Sequence, residues 1–135
     1  MSNHEDFERK TFGGYGIIFE EGDDGDAAYL ITRGSVEIRK GTRTKNPVSL
    51  AMLHKGDIFG EMALFDNRPR MAQAMAVTDV EVIAINREAF MERLRGVDPV
   101  MKNIILYVIQ RLRNMTDEFM IKQTEVSWSN WKKLD

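Results

Sequence analysis

The chain has 135 residues, enough for one hydrophobic core but not for two of comparable size. It has no cysteine, which excludes a disulfide framework, a thiolate nucleophile and thiolate metal ligands. Its 19 basic and 21 acidic residues give a net charge of −2, so no general attraction to nucleic acid is expected. The first twenty residues do not show the pattern expected of a signal peptide, and no apolar run approaches the roughly 20 residues needed to cross a membrane. We expect a cytoplasmic protein that binds neither nucleic acid nor membrane.

Residues 12–86 consist of short apolar or alternating segments separated by glycine-containing turns, a pattern typical of β structure. The predicted strands are Gly16–Glu20, Ala27–Thr32, Ser35–Lys40, Val48–Leu53, Asp57–Phe59, Met71–Thr78 and Val80–Ile85. Each half-buried strand needs a facing layer, which favours a jelly-roll barrel, that is, a double-stranded β-helix. The predicted fold is therefore mainly β with C-terminal α-helices. We expect a short N-terminal segment 1–11, one domain 12–122 and a tail 123–135.

The second half of the chain is predicted to be helical, with a short helix Arg87–Leu94 and a long one from Pro99 to about Lys122. Asp98 is the expected cap of the long helix. One apolar seam of this helix contains Met101, Ile105, Val108, Leu112, Met115 and Phe119. The seam fits either packing on the chain's own barrel or a homodimer through the helix 99–122. Trp128 and Trp131, in the tail, either dock on an apolar surface or mark an interaction site.

Basic residues form two local clusters in this otherwise balanced sequence. One contains Arg39, Lys40, Arg43 and Lys45, and the other contains Arg111 and Arg113. We interpret both as solvated loop or helix faces, since clusters of this size are usually hydrated.

The most informative stretch is 59–77, with the sequence F-G-E-M-A-L-F-D-N-R-P-R-M-A-Q-A-M-A-V. Gly60 allows a close backbone approach, and Glu61–Phe65 is long enough for one helical turn with free amides at its start. Arg70 offers a planar cationic fork suited to phosphate, and Glu61 can accept hydrogen bonds from a ribose hydroxyl. Taken singly, Glu61 could be only a favourable charge on a helix terminus, and Arg70 only a surface ion pair.

Together these residues match a known pattern, F-G-E-x-A-L, four residues, then P-R-x-A, without a gap from Phe59 to Ala72. The segment resembles the phosphate-binding cassette of the cyclic-nucleotide-binding domain family. This family includes regulatory subunits of protein kinase A, cyclic-nucleotide-gated channels and bacterial catabolite activator proteins. Upstream, Phe19–Asp23, Gly25–Asp26 and 28–36 are similar to its first glycine turns and strands. The resemblance covers about 12–119.

The resemblance implies a sensor for cAMP, with cGMP as the alternative ligand, that signals through its C-terminal helix to a downstream protein or a dimer mate. It implies that Glu61 holds the ribose 2′-hydroxyl, that Arg70 holds the phosphate, and that the amides of Gly60 and the Met71–Ala72 region complete the cradle. The implied ligand-binding residues are Phe59, Gly60, Glu61, Met62, Ala63, Arg70, Met71, Ala72, Gln73 and Thr116. The base is expected near Arg111, Leu112, Met115 and Thr116. Met71 and Gln73 depart from the family, which often has smaller or hydroxyl-bearing residues there.

Other classes of function have weaker support in the sequence. Metal-dependent jelly-roll enzymes need several converging histidines and acids, and this chain has only His4 and His54. We therefore expect no catalytic residues, no metal site and no cofactor besides the nucleotide ligand. The main alternative is a ligand-free jelly-roll module for protein interaction or dimerisation. Against it stands the pairing of Glu61 with Arg70, because a buried charge without a ligand is costly.

Overall fold

A computed structural model describes residues 7–65, 67–111 and 114. The chain divides into two compact units, Met1–Arg93 and Leu94–Asp135. The first unit contains eight described strands: β1 Glu8–Phe12, β2 Ile17–Phe19, β3 Ala27–Arg33, β4 Val36–Lys40, β5 Val48–Leu53, β6 Ile58–Phe59, β7 Gln73–Ala76 and β8 Val80–Asn86. They form two antiparallel sheets with the orders β1-β8-β3-β6 and β2-β7-β4-β5. The predicted jelly roll is confirmed as two facing sheets rather than as a closed barrel.

The chain repeatedly passes from one sheet to the other, and Gly34 lies at one of these crossings. It connects β3 to β4 with a φ of +90°, and a Cβ at this position would overlap the carbonyl oxygen of Asp79. The neighbouring Ser35 amide donates to Thr78 Oγ1 at 3.1 Å, which joins this crossing to the one between β7 and β8. Only glycine allows the two connections to approach so closely.

The core of the roll is formed by the inward row of each strand. Ile31, Val36, Val80 and Val82 are its largest fully buried side chains. Phe12, Ile18, Phe19, Ile38 and Leu53 are partly buried and pack against it. Burial alternates along β8 and, from Tyr29 onward, along β3, in agreement with the alternation from which these strands were predicted.

Two strand predictions need correction. Strand β1, Glu8–Phe12, precedes the first predicted strand, Gly16–Glu20, and was not predicted; it pairs with β8. This edge strand is mostly polar and exposed, so it carries no apolar alternation; Arg9 instead forms an ion pair with Glu81 at 2.8 Å. In addition, β7 covers only Gln73–Ala76 of the predicted Met71–Thr78, because the residues before it form loop contacts instead of a ladder.

The predicted helices are present as far as the described residues reach. Helix α1 spans Arg87–Arg95, and residues 99–111 and 114 are also helical. Asp98 Oδ1 accepts hydrogen bonds from the Val100 and Met101 amides at 2.9 and 3.4 Å, which confirms the predicted cap. The seam residues beyond Val108 and both tail tryptophans lie outside the described residues. In the described part of the chain, no helix is both long and apolar enough to span a membrane. The predicted boundaries at 12 and 122 stay predictions.

The packing of the core predicts the effect of shortening Val82, which is fully buried in the central strand β8. We expect Val82→Ala to lower the free energy of unfolding by about 2 kcal/mol, because it removes two buried methyl groups and leaves a cavity. Val48→Ala is the control, since Val48 lies on the edge strand β5 and is 41% exposed. Urea denaturation of both variants measures the difference, and equal losses would contradict this account of the core.

Candidate functional site

Arg70 lies in the loop before β7, and backbone hydrogen bonds fix it to the turn after β2. Its amide donates to the Asp23 carbonyl at 2.7 Å, and its own carbonyl accepts from the Gly22 amide at 2.8 Å. A residue bonded on both sides of its Cα has little backbone freedom. The direction in which the side chain leaves the loop is therefore set by the fold.

The Arg70 guanidinium points into the roll rather than into solvent, and the residue is only 8% exposed. Nη1 donates to the Gly60 carbonyl at 3.1 Å, and Nη2 donates to the Ala27 carbonyl at 2.8 Å. The guanidinium carbon lies 4.2 Å from the centre of the Phe19 ring and 5.7 Å from that of Tyr29. These contacts hold the cation between two carbonyls and an aromatic wall.

No carboxylate of a described residue forms an ion pair with Arg70. Its Nε is buried and has no hydrogen-bond partner in the described part of the chain. Burial lowers the pKa of Arg70 below its ordinary value, and the nearby Tyr29 and Asp26 only partly oppose this effect. Arginine stays protonated even so. The site is therefore a desolvated positive charge with an unused donor, which suits an anion.

Two glycines provide the space for this guanidinium. A Cβ on Gly25 would lie 2.5 Å from both Nε and Nη2 of Arg70, and a Cβ on Gly60 would lie 2.8 Å from Nη1. Gly60 also has a left-handed backbone, with φ 72° and ψ 18°, immediately before the 3-10 turn Glu61–Leu64. The structure places the Arg70 side chain against Gly60, and the predicted close approach of Gly60 to a ligand stays a prediction.

The 3-10 turn begins at Glu61, one residue after Gly60, whose carbonyl is bonded to Arg70. Ala63 and Leu64 are buried, and Arg87 Nε donates to the Ala63 carbonyl at 2.7 Å, which holds the turn against the rest of the unit. Glu61 is half-buried, and no described residue donates a hydrogen bond to its carboxylate. The predicted helical turn exists, but four residues are too few for a strong helix dipole, so the positive charge of the site belongs to Arg70.

The other residues of the predicted site fall into different places. Phe59 is buried and stacks on Tyr29, with ring centres 5.3 Å apart. Met62 and Met71 are half-buried, and Ala72 is buried. Thr116 lies outside the described residues, as do Leu112 and Met115, and Arg111 is exposed.

Gln73 lies on the outer face of its sheet. It pairs with Arg39 in the β4–β7 ladder, whereas the next residue, Ala74, lies in the core. Its Nε2 donates to Glu20 Oε1 at 2.7 Å, and its buried Oε1 has no hydrogen-bond partner in the described segments. The amide of Gln73 is therefore engaged with Glu20, on the side of β7 opposite to the core.

The sequence analysis missed several residues that build this site. Phe19 and Tyr29 form the aromatic wall, and Ala27 contributes only its carbonyl. Every residue type has a backbone carbonyl, so the sequence alone does not indicate that Ala27 belongs to the site. The sequence placed Gly25 in a glycine turn that resembles the family. Its closeness to Arg70 is a tertiary contact, which the sequence alone does not show.

Alternative chemistries find little support in the described residues. Ser35 Oγ lies 3.0 Å from His54 Nδ1, but the pair is exposed, and Asp57 bonds the His54 backbone amide instead of the ring. A nucleophilic triad needs an acid that orients the imidazole. In the described ranges, no three His, Asp or Glu side chains lie close enough together to hold a metal ion.

The fit of Arg70 against Gly25 predicts a stability loss for Gly25→Ala. The new methyl group would push the guanidinium off the Gly60 and Ala27 carbonyls, at a cost of about 1–3 kcal/mol. Gly13→Ala is the control, because its nearest neighbour would be Asp79 Oδ1 at 4.0 Å. Chemical denaturation of the ligand-free variants measures both, and a loss for Gly25→Ala no larger than the control's would refute the contact.

Comparisons with known proteins identify the family of this chain. The family model of the cyclic nucleotide-binding domain matches residues 10–96. The chain is 36% identical over 107 residues to the cyclic AMP receptor protein of Thermus thermophilus, which covers 79% of this chain and 50% of that protein. It is 41% identical over 85 residues to a cAMP-dependent protein kinase regulatory subunit of Aspergillus fumigatus, covering 63% of this chain and 20% of the subunit. The chain thus spans half or less of the length of these relatives.

Solved structures give the same result. The half-site-occupied form of the EAL enzyme Bd1971 matches with a TM-score of 0.72 and 37% identity, over 81% of this chain and 97% of that chain. The catabolite activator protein of Thermus thermophilus matches with a TM-score of 0.71 and 33% identity, over 87% and 55%. The cAMP-bound PfPKA-R (141-441) matches with a TM-score of 0.61 and 38% identity, over 64% and 31%. The resemblance found in the sequence is confirmed, and the chain belongs to the cyclic nucleotide-binding domain family.

Proposed function

We propose that this domain binds a cyclic nucleotide monophosphate, cAMP, and that Arg70 receives its phosphate. The observation that supports this most strongly is the buried guanidinium, which has no acidic partner and an unused Nε donor among the described residues. A phosphate oxygen would supply both the missing negative charge and the missing acceptor. Binding would then offset the desolvation cost that the folded protein carries at this position.

The surrounding residues extend the proposal from phosphate to nucleotide. Glu61 directly follows Gly60, whose carbonyl is bonded to Arg70, so its backbone adjoins the proposed phosphate site. With no donor of its own in the described structure, this carboxylate is available to accept a hydrogen bond from the ribose 2′-hydroxyl. The amides of Gly60, Met71 and Ala72 would complete the cradle.

The domain is proposed to be a non-catalytic regulator rather than an enzyme. Its curated relatives are a cyclic AMP receptor protein and regulatory subunits of cAMP-dependent protein kinase. The match with the EAL enzyme covers only 32% of its chain in the cAMP-bound form, so most of that protein has no counterpart in this match. Among the residues that the structure describes, no three His, Asp or Glu side chains are close enough together to hold a metal ion. We propose that binding is reported through the helix that begins at Pro99, to a dimer mate or a protein partner.

That helix has surface to offer a partner. Its exposed large apolar side chains are Val100, Met101, Ile104, Leu106, Tyr107 and Val108. Contiguous apolar side chains on a helix commonly mark an interaction surface. Met101 and Val108, two members of the predicted seam, are among them.

Removal of the Arg70 side chain tests the proposed function. We expect Arg70→Ala to weaken cAMP binding by about 2–5 kcal/mol, because the phosphate loses its charged partner. Arg33→Ala is the control, since it removes one positive charge from an exposed position at the end of β3 and should leave binding unchanged. Isothermal titration calorimetry with cAMP and, in parallel, cGMP measures affinity and ranks the two bases.

An Arg70→Ala domain that remains folded and binds as tightly as the unmodified chain would exclude the phosphate role. Absence of heat and of thermal stabilisation with either nucleotide, in the unmodified chain, would overturn the proposed function itself. The ligand-free interaction module would then be the better description.

The role proposed for Glu61 is tested by a ligand that lacks the hydroxyl. We expect Glu61→Gln to weaken cAMP binding by about 1–2 kcal/mol and to have little effect on 2′-deoxy-cAMP, because only the ribose hydroxyl donates to the carboxylate. Glu88→Gln, at an exposed position in α1, is the matched control. Calorimetry of both variants with both ligands measures the coupling free energy between the Glu61 carboxylate and the ribose 2′-hydroxyl. Equal losses of affinity for the two ligands in Glu61→Gln would contradict the role.

A further inference from the structure

Lys40 makes a contact that its position in the sequence does not indicate. It is the last residue of β4, and it shares a face with Val36 and Ile38, which lie in or against the core. Its Nζ donates to the Met71 carbonyl at 2.9 Å, so the side chain bridges from the end of β4 to the loop that follows Arg70. The basic cluster at 39–45 was interpreted as a solvated face, and Lys40 does not fit that interpretation.

Glu21 holds the lysine in place. Its Oε2 lies 3.4 Å from Lys40 Nζ, and its Oε1 accepts a hydrogen bond from the Gly41 amide at 2.8 Å. The lysine and glutamate side chains are 32% and 31% exposed, so water only partly screens this pair. The charge of Lys40 is therefore balanced within the protein, and its hydrogen bond to Met71 has a fixed geometry.

The carbonyl that Lys40 holds belongs to the same peptide group as the Ala72 amide. A planar trans peptide directs its C=O and its N–H to opposite sides, so fixing one fixes the other. The preceding peptide is held in the same way, because the Arg70 carbonyl accepts from the Gly22 amide at 2.8 Å, which sets the direction of the Met71 amide. Both peptides are thus held from their carbonyl side.

Neither the Met71 amide nor the Ala72 amide donates to any acceptor among the described residues. The two groups that the proposed cradle needs as donors therefore have oriented peptide planes and unused N–H groups. A cation on the carbonyl also polarises the peptide and makes its N–H a stronger donor.

We propose that Lys40 is a positioning residue for nucleotide binding, which orients and polarises the Met71–Ala72 peptide so that its amide can bind the ligand's phosphate. This role rests on the proposed function. Lys40 acts through the backbone of Met71 and does not itself touch the nucleotide. The Gly22 amide has the equivalent role for the preceding peptide. A backbone donor is not removed by a side-chain substitution, so the contribution of Lys40 is the one that mutagenesis can test.

The test compares Lys40→Met with Lys45→Met in the full chain. Both substitutions remove one positive charge from the same β-hairpin, but Lys45 lies in its exposed loop, so general attraction to an anionic ligand changes equally. We expect Lys40→Met to lower cAMP affinity about tenfold and Lys45→Met to leave it within about twofold. In ¹H–¹⁵N spectra of the ligand-free proteins, Lys40→Met should shift the Met71 and Ala72 amides, and Lys45→Met should not.

Lys40→Arg provides an independent check, because it keeps a charged donor at this position. We expect it to retain most of the affinity and amide positions close to those of the unmodified chain. If it behaves like Lys40→Met, the requirement is for lysine packing and not for a donor, and the role is refuted.

The remaining outcomes also discriminate. Weakened binding by Lys40→Met with unchanged Met71 and Ala72 amides in the free protein would mean direct contact with the ligand, which overturns the positioning role. Unchanged affinity in Lys40→Met, with normal binding by the unmodified chain and loss in Arg70→Ala, overturns this inference alone. Failure of the unmodified chain to bind cAMP overturns the proposed function and this inference together.

Discussion

A single buried cation ties together the parts of the chain that form the candidate site. Arg70 bonds through its backbone to the turn at Gly22 and Asp23, and through its guanidinium to the Ala27 and Gly60 carbonyls. These partners come from the turn after β2, the start of β3 and the end of β6. Gly22, Asp23 and Ala27 lie more than 40 residues before Arg70, and Gly60 lies ten residues before it, so the arginine joins two separate stretches of the chain. The arrangement of these backbone segments around the site therefore depends on the burial of Arg70.

The fold bears a cost for this arrangement. A desolvated guanidinium with an unpartnered Nε is less favourable than the same group in water, as the lowered pKa of Arg70 shows. Carbonyl dipoles and the ring of Phe19 recover part of this energy. Gly25 and Gly60 leave space for the guanidinium. Their cost is conformational entropy, because glycine loses more backbone freedom on folding than any other residue. For the proposed phosphate, this means that the guanidinium and its carbonyl partners would need little rearrangement on binding.

The sequence predicted the parts of the molecule that are governed by local pattern. Alternation identified β3, β4, β5 and β8 to within one or two residues, because their inward rows build the core. It missed β1, whose pairing with β8 needs backbone groups and no apolar face. The cassette motif identified Arg70 and Glu61. The contacts of the Gln73 and Lys40 side chains depend on tertiary structure, which the motif does not encode. Gln73 faces Glu20 because of its register with Arg39, and Lys40 meets Met71 because two strand ends converge.

Charge balance within the described residues bears on which phosphate the site suits. Arg70 is the only charged residue there that is buried, and Lys40, which bonds the carbonyl of the next residue, is already paired with Glu21. Asp26 and Asp23 act on Arg70 without forming an ion pair with it, which leaves room for one close negative charge. A cyclic phosphate diester carries a single charge, whereas a terminal phosphate monoester carries close to two at neutral pH. Because a second buried charge without a partner is costly, the same arginine that would attract phosphate in general would favour the cyclic diester over the open nucleotide.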